Sequence, residues 1–470
     1  MSGVDAYLVV RAASLYLAVI TTLALWMWRR PGSRMIAGAL LACCWNLPVV
    51  LALNVVAARA GWWQFDARGG VLLGTPVDLY FAWVCLWGAI PALAFPHAPL
   101  WRVIGVALLV DLVAMPAALP VVRLGPMWLA GEACGLLLGL PPAQLLARWT
   151  IADRQLERRA FLQMITVGGL LLFVLPAIVI EGSGAGWINP AARPLWQISL
   201  LVQVLALPAL VGMTAVQEFV TRGGGTPVPF DPPRRLVTTG VYAYLRNPMQ
   251  LSGVVLLILL AAALANPWLA AAGVMAHLYS AGLAGWDEDE ELHRTFGDAW
   301  IAYRRGVPRW VPRLRPWHRA DHPPARLYVS ATCTMCGGVA RWFADRGVRH
   351  LAVVPAERHP SEALRRITYE PGDGSPSASG IQAVARALEH VHLGWAVLGF
   401  LLRLPGVCPL AQVLVDASGG EARSIGRVEA AHDCPQPPSP SLHPPSSGLQ
   451  PPSSRLQPPA SRLQPPATVG

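Results

Sequence analysis

Charge is what this sequence has least of. Only 14% of its 470 residues are Asp, Glu, Lys or Arg, where a soluble domain carries about 25%. With 54% hydrophobic residues and a mean hydropathy of +0.43, that shortage excludes an ordinary water-soluble globule. Residues 1–7 lack the basic cluster of a cleaved secretory signal, so none is expected. Metal-ligand spacing is lacking too. Of eight cysteines, Cys43, Cys44, Cys85 and Cys134 lie in apolar runs and read as small packing residues. Cys408 and Cys434 are isolated, and only Cys333 and Cys336 form a motif. A zinc site needs two further ligands at matching spacing; Cys408 and His350 do not supply them, so no metal is expected.

The charges that are present cluster in short loops between long apolar runs, the pattern of a polytopic helical membrane protein. About nine spans are expected, at 7–28, 35–58, 71–95, 100–122, 126–147, 161–181, 196–218, 249–265 and 267–285, from runs near the ~20 residues that a bilayer requires. The last two are short and meet at Asn266-Pro267, so they read as a tight re-entering hairpin. Arg29, Arg30, Arg34, Arg102, Arg148, Arg154, Arg158, Arg159, Arg222, Arg234, Arg235 and Arg246 all fall on one side of that arrangement. Arg59, Arg68, Arg123 and Arg193 fall on the other. The bias of arginine toward the cytoplasm places the N-terminus outside and the C-terminal half inside a cell membrane. The net charge of +10 then needs no nucleic-acid partner; anionic lipid headgroups answer it.

The chain divides into four parts. Residues 1–220 are spans without a recognisable signature. A Gly/Pro-rich connector over 221–233 opens a membrane unit that ends near Pro316. From Arg326 to about residue 425 the pattern turns to soluble α/β: strands at 327–330 and 350–354, and helices at 333–346, 380–390 and 393–404. Residues 426–470 are Pro/Ser-rich with a seven-residue repeat, SLHPPSS, GLQPPSS, RLQPPAS and RLQPPAT. A Pro-Pro in every unit excludes a coiled coil, so a disordered, partly polyproline-II tail is expected, with a ligand for proline-binding domains as the alternative.

Two segments flank the last hairpin. One is Gly240-Val-Tyr242-Ala-Tyr244-Leu-Arg246-Asn247-Pro248-Met249, followed by Gln250-Leu-Ser-Gly253. The other is Glu288-Asp289-Glu290-Glu291-Leu292, then Phe296-Gly297, Tyr303 and Val307-Pro308-Arg309. Pro248 holds the residue before it out of helix and exposes backbone donors at a helix start, where anionic groups are favoured. Together the segments resemble the integral-membrane isoprenylcysteine carboxyl methyltransferase and phospholipid methyltransferase superfamily. There a GxYxxxRHPxY-type run and an acidic pair before LxxxFGxxYxxYxxxVPR enclose S-adenosylmethionine. The resemblance covers about 230–315. It implies a methyltransferase that acts on a lipid or lipidated acceptor, with Arg246 as the catalytic candidate. Tyr242, Tyr244, Arg246, Asn247, Pro248, His277, Glu288, Asp289 and Glu291 are its cofactor-binding candidates. Asn247 stands where that family has His, and Gln250 where it has Tyr. Counting back from Leu292, the family's acidic pair falls on Glu288 and Asp289, with Glu291 as the alternative. The superfamily also includes membrane reductases that bind a nicotinamide cofactor at the homologous place, which keeps a reductase reading open.

Cys333-Thr-Met-Cys336 follows a strand and opens a helix, where the helix dipole favours a thiolate. The second thiol could resolve a mixed disulfide with a thiol redox partner. From Arg326 to about Gly420 the sequence resembles the DCC family of thioredoxin-like thiol–disulfide oxidoreductases, in Cys333 and Cys336, in Gly380-Ile-Gln-Ala-Val-Ala-Arg-Ala-Leu388 and in Gly394-Trp395 to Pro405. Ser330 replaces the family's Asp, and Ala331 the following Gly. The resemblance implies catalytic roles for Cys333 and Cys336, and it carries the rival reading, a membrane thiol–disulfide redox protein. A transporter-like bundle with appended modules is a third reading, which repeat symmetry among the first seven spans would favour. Finally, Asp78, Asp111 and Glu132 lie inside apolar spans, where ionisable groups are costly. They could bind a lipid headgroup or an acceptor, or pair with Asn46, Asn54 or Arg11.

Overall fold

In a computed structural model, the described residues are 3–185, 193–228, 231–360 and 364–423. The Pro/Ser-rich repeats and Cys434 lie outside them. Residues 1–427 cohere as one compact unit. The chain is mostly helical, as a polytopic membrane protein should be. Among the described residues seven helices are long and apolar enough to cross a bilayer: Ala6–Arg29, Ser33–Ala60, Val77–Ala94, Leu100–Ala117, Trp128–Ile151, Leu156–Gly182 and Leu195–Gly223. An eighth candidate is a pair bent by 94°, Leu393–Arg403 and Val407–Gly420.

The expectation of nine spans is corrected in three places. Residues 71–76 are not the start of the third span but a small hairpin, β2 (Val71–Leu72) against β3 (Thr75–Pro76). The fourth span ends at Ala117, and the chain then forms β4 (Val122–Leu124), which pairs antiparallel with β1 (Trp63–Phe65). Both turns are apolar enough to read as span in a hydropathy pattern. Third, the final hairpin has arms of 16 and 15 residues, Pro248–Ala263 and Pro267–Ala281. At 1.5 Å per residue each is about 24 Å long or less, short of the ~30 Å hydrocarbon core. Asn266 makes the reversal, its side chain accepting from the Leu269 amide at 3.0 Å.

The second and fifth spans form the centre of the bundle. Their close approach depends on glycine: a Cβ at Gly38 would sit 2.8 Å from the Ala147 carbonyl, one at Gly135 2.6 Å from the Leu53 side chain and one at Gly139 2.8 Å from that of Asn46. Small residues at intervals of four let membrane helices pack this tightly. The third, sixth and seventh spans each widen by one π-type turn, at Cys85–Ala89, Leu170–Val174 and Phe219–Gly223. At one end of the bundle Arg34, Arg159 and Arg234 converge on Asp153, and Arg34 and Arg159 also reach Asp231. At the other, Arg11 pairs with Asp78 and Arg123 with Asp66.

After the hairpin, helices Leu283–Phe296 and Asp298–Gly306 meet at Gly297, whose φ of +53° makes the turn. Residues 308–317 then run back along 243–246: the amides of Arg246, Arg313 and Trp317 bond the carbonyls of Pro308, Tyr244 and Ala243. The C-terminal module is a four-stranded sheet in the order β6-β5-β7-β8, with β5 (Ala325–Val329) parallel to β6 (Leu351–Pro355) and antiparallel to β7 (Thr368–Glu370). β8 (Ala378–Ser379) pairs with β7. Helices Thr334–Ala344, Ile381–Leu388, Leu393–Arg403 and Val407–Val415 complete it.

Candidate functional site

The two flanking segments meet in space. Tyr303 donates from its hydroxyl to the Tyr242 carbonyl at 2.8 Å, locking the helix Asp298–Gly306 under the first segment. The Arg246 guanidinium lies 5.6 Å from the Trp300 ring and 3.6 Å from Asp289. Arg309 reaches the same carboxylate at 3.0 Å and Arg304 at 3.8 Å. Arg309 also donates to the Gly285 carbonyl at 2.8 Å, fastening the C-terminal segment to the start of the acidic helix. Within the acidic run, Glu288 and Asp289 are partly covered while Glu290 and Glu291 are exposed. Glu290 pairs with Arg294 one turn on. Burial pushes the Glu288 carboxyl up, with Arg309 and Arg246 opposing.

Several polar atoms here are buried and lack a hydrogen-bond partner: Arg246 Nε and Nη1, Arg309 Nε, Trp300 Nε1 and the Tyr242 hydroxyl. Buried polar groups are normally bonded, so five orphans around two arginines are unusual. Burial holds the Tyr242 hydroxyl protonated, its pKa raised with help from Tyr303 and Glu288. Four of the five are therefore N–H donors, and the fifth carries a proton.

The other candidates sit as follows. Pro248 is the first residue of its helix. Asn247, which precedes it, donates to Gln250 Oε1 at 2.7 Å, so the two residues that depart from the methyltransferase pattern bond each other. His277 packs edge-on against Trp310, the residue after Arg309, with ring centres 4.6 Å apart. Tyr244 faces away: its hydroxyl bonds the Glu389 carbonyl at 2.7 Å in the C-terminal module. Glu291 is exposed on the helix surface.

A second charged cluster lies beyond Tyr244. Glu218, at the end of the seventh span, accepts from Arg386 at 2.8 Å on both oxygens, from Arg403 at 2.6 Å and from Thr239 at 2.5 Å. Glu389 completes it with 2.6 Å to Arg403. All four charged residues are buried. Gly240 lies against this cluster with φ +60°, and a Cβ there would come within 2.9 Å of Glu218. A cavity of about 80 Å³ adjoins it, lined in part by His318, His350 and His390. His318 stacks on His390, centre to centre 5.0 Å, and His390 bonds the Tyr369 hydroxyl at 2.9 Å. No grouping of three metal-ligating side chains exists among the described residues.

Cys333 caps the helix Thr334–Ala344, its sulfur accepting from the Cys336 amide at 3.3 Å. Burial and the neighbouring Cys333 push the Cys336 thiol up to about 12. Ser330 donates to Glu357 Oε1 at 2.9 Å, and the Ala331 amide bonds the same oxygen. Burial pulls the Glu357 carboxyl up, but bonds from its own amide, the Ser330 hydroxyl and the Ala331 and Thr332 amides outweigh it and hold the group below the usual carboxylate range. A carboxylate thus stands beside Ser330, supplied from residue 357.

Sequence reasoning did not single out Trp300, Glu218 or Glu357, and it read Arg309 only as part of a motif. Compared with protein-family models, with curated proteins and with solved structures, this chain matches none.

Proposed function

We propose that the unit over 221–316 is a membrane methyltransferase that binds S-adenosylmethionine at the Arg246–Asp289 site and methylates a lipid or lipidated acceptor. The single observation that carries this reading is the set of orphaned donors on Arg246, Arg309 and Trp300 beside two inward carboxyls. A bound zwitterion answers both. Its carboxylate would take the free N–H groups of Arg246 and Arg309, and its ammonium would face Glu288. The cofactor would supply an electrophilic methyl on a sulfonium. The chain's own task is positioning, since in-line transfer depends on alignment. The Tyr242–Tyr303 bond and the Arg309–Gly285 clamp fix the walls. The re-entering hairpin sets this site beside the bilayer, where a lipid acceptor is dissolved.

The test is equilibrium binding of S-adenosylmethionine to the full chain in detergent, by calorimetry. Binding that Arg246→Ala weakens supports the reading. Binding of the nicotinamide cofactor instead would sink it and install the reductase alternative. In this reading the N-terminus faces outward in a cell membrane and the C-terminal module lies in the cytoplasm. Reporter fusions after residues 160 and 320 should both report cytoplasm, and a signal from outside at either would overturn that orientation.

The C-terminal module adds a thiol–disulfide function in the same proposal. Support comes from Cys333 at a helix start, where a thiolate is favoured, and from the Glu357 carboxylate next to Ser330. Alkylation trapping should show a reversible shift that Cys333→Ser abolishes. An unchanged shift would assign the oxidation to other cysteines.

A further inference from the structure

We propose that the N-terminal bundle binds a membrane-dissolved amphiphile, a long apolar chain with a hydrogen-bond-donating head, at the carboxyl of Asp111. A cavity of about 440 Å³ lies between the first, third and fourth spans, within the ~300–1,000 Å³ range of small-molecule sites. Its walls are apolar, with Leu79, Trp83, Leu86 and Met115 among them, and Asp111 is its one charged lining residue. From Val10 to Thr21 along the first span it is roughly 16 Å long.

Asp111 is 1% exposed and accepts from Trp87 Nε1 at 2.9 Å. The π-type turn at Cys85–Ala89 carries that tryptophan. Beside Asp111 lies Glu132 of the fifth span, also 1% exposed; the two carboxyls hydrogen-bond each other, and no other group of the protein donates to Glu132. Two adjacent carboxyls in a low-dielectric interior favour holding one proton between them. Even so, the pair keeps a negative charge that no cation of the bundle answers, with Trp87 Nε1 its donor from outside the pair, and an ionisable group so placed is costly and marks a functional place. Asp78 shows the contrast: Arg11 answers it at 2.7 Å and 3.1 Å, so it carries no such vacancy.

The cavity's shape selects the class of ligand. Charge is concentrated at one buried point; the first span adds the hydroxyls of Ser14, bonded to the Val10 carbonyl, and Thr21, and the rest accommodates hydrocarbon. Leu17 and Val110 lie at its margin, 66% and 40% exposed, and both are in spans. The opening therefore faces lipid, and the ligand enters from the bilayer. A head that donates a hydrogen bond, an alcohol or an amine, completes Asp111; a carboxylate or phosphate head would meet like charge. This site is independent of the methyltransferase reading.

The experiment uses the full chain in lipid nanodiscs with two photoreactive probes, a long-chain alcohol and a long-chain amine, each with a mid-chain diazirine. Saturable labelling of the first and fourth spans by either probe is expected, and the preferred probe identifies the head. The matching unlabelled alcohol or amine should compete, and a headless alkane should not. Ala114→Phe, which fills the cavity, should reduce labelling about tenfold. Asp111→Asn keeps an acceptor for Trp87 and should weaken labelling about tenfold through loss of a charge-assisted bond. Labelling that neither variant reduces would overturn the proposal, as would equal competition by the alkane or insensitivity to Asp111→Asn alone. The competition arm reads out on the wild-type chain, so a variant that fails to fold does not blunt the test.

Discussion

Glu218 and Asp289 are both carboxylates among arginines, yet they are built to opposite ends. Glu218 is fully enclosed, and four short hydrogen bonds fill its two oxygens. Asp289 has three arginines within 4 Å but only Arg309 at close range, and donors on Arg246 and Arg309 are left over. A filled cluster fixes one arrangement of chain. An unfilled one keeps interaction energy in reserve for something that arrives. Tyr242 and Tyr244, two residues apart, show the same contrast: the Tyr242 hydroxyl is unbonded, and that of Tyr244 is bonded into the C-terminal module. The first cluster therefore reads as the fastening between membrane unit and C-terminal module, and the second suits the binding site proposed for it.

The largest effect that separates the two should come from Glu218→Gln. Arg386 and Arg403 would lose a shared counter-charge in a buried setting, and breaking such a pair costs about 3–5 kcal/mol. The unfolding midpoint should fall steeply, while S-adenosylmethionine affinity in the still-folded fraction should change little. Lost affinity with an unchanged midpoint would show that Glu218 belongs to the binding site and would collapse the comparison.

Acid should loosen the same face next. Burial, with His318 and His350 adding, takes His390 down to about 3, and burial with His350 takes His318 to about 4. The unfolded chain binds these protons near pH 6.5 and the folded chain does so only far below. Stability is thus full above about pH 6.5 and drains as pH falls toward 4, by on the order of 3 kcal/mol for His318 alone. Unfolding midpoints at pH 7 and pH 5 should differ in the wild type and differ less in His318→Gln. An equal drop in both would take the histidine stack out of the account.

Much of this architecture was legible in the sequence, and the failures have physical reasons. The central spans, the strand at 325–329, the helix behind Cys333 and the short final hairpin all follow from periodicity and punctuation. The strands β7 and β8 do not, because Thr368–Glu370 and Ala378–Ser379 are too short to show alternation. The turns near residues 71–76 and 118–124 are hydrophobic, so hydropathy merged them with spans. The contiguous motif gave Arg246, Glu288 and Asp289 as neighbours across one hairpin. It could not say that Tyr244 turns the other way, since a motif does not record which face a side chain takes. Glu218 was out of reach altogether: its arginines lie 168 and 185 residues along the chain.

Within the unfilled site, Arg246→Ala and Glu288→Gln should each cost about 1.5–3 kcal/mol of S-adenosylmethionine binding, a ten- to hundred-fold loss of affinity, with membrane insertion intact. Asp289→Asn should weaken binding too, and it should also lower stability, because Arg246, Arg304 and Arg309 then face one another without a counter-ion. Calorimetry and a thermal midpoint on the same three variants separate the roles. If all three lose stability and none loses affinity, the Asp289 cluster is a second fastening and the contrast with Glu218 disappears.

The smallest effect is the sharpest control. Glu290 and Glu291 neighbour the inward pair in sequence but lie on the exposed side of the helix, and Glu290 is engaged with Arg294. A surface pair one helical turn apart is worth about 0.3–0.5 kcal/mol. Glu290→Gln should therefore leave affinity within about twofold and stability nearly unchanged, and Glu291→Gln should do the same. The helix has one inward acidic face, so a change of register by two residues would exchange the roles of 288–289 and 290–291. If Glu291→Gln is the damaging substitution and Glu288→Gln is silent, the acidic helix is turned in solution from the orientation described above. The binding site would survive that result. The assignment of Glu288 as the group facing the ligand's ammonium would not.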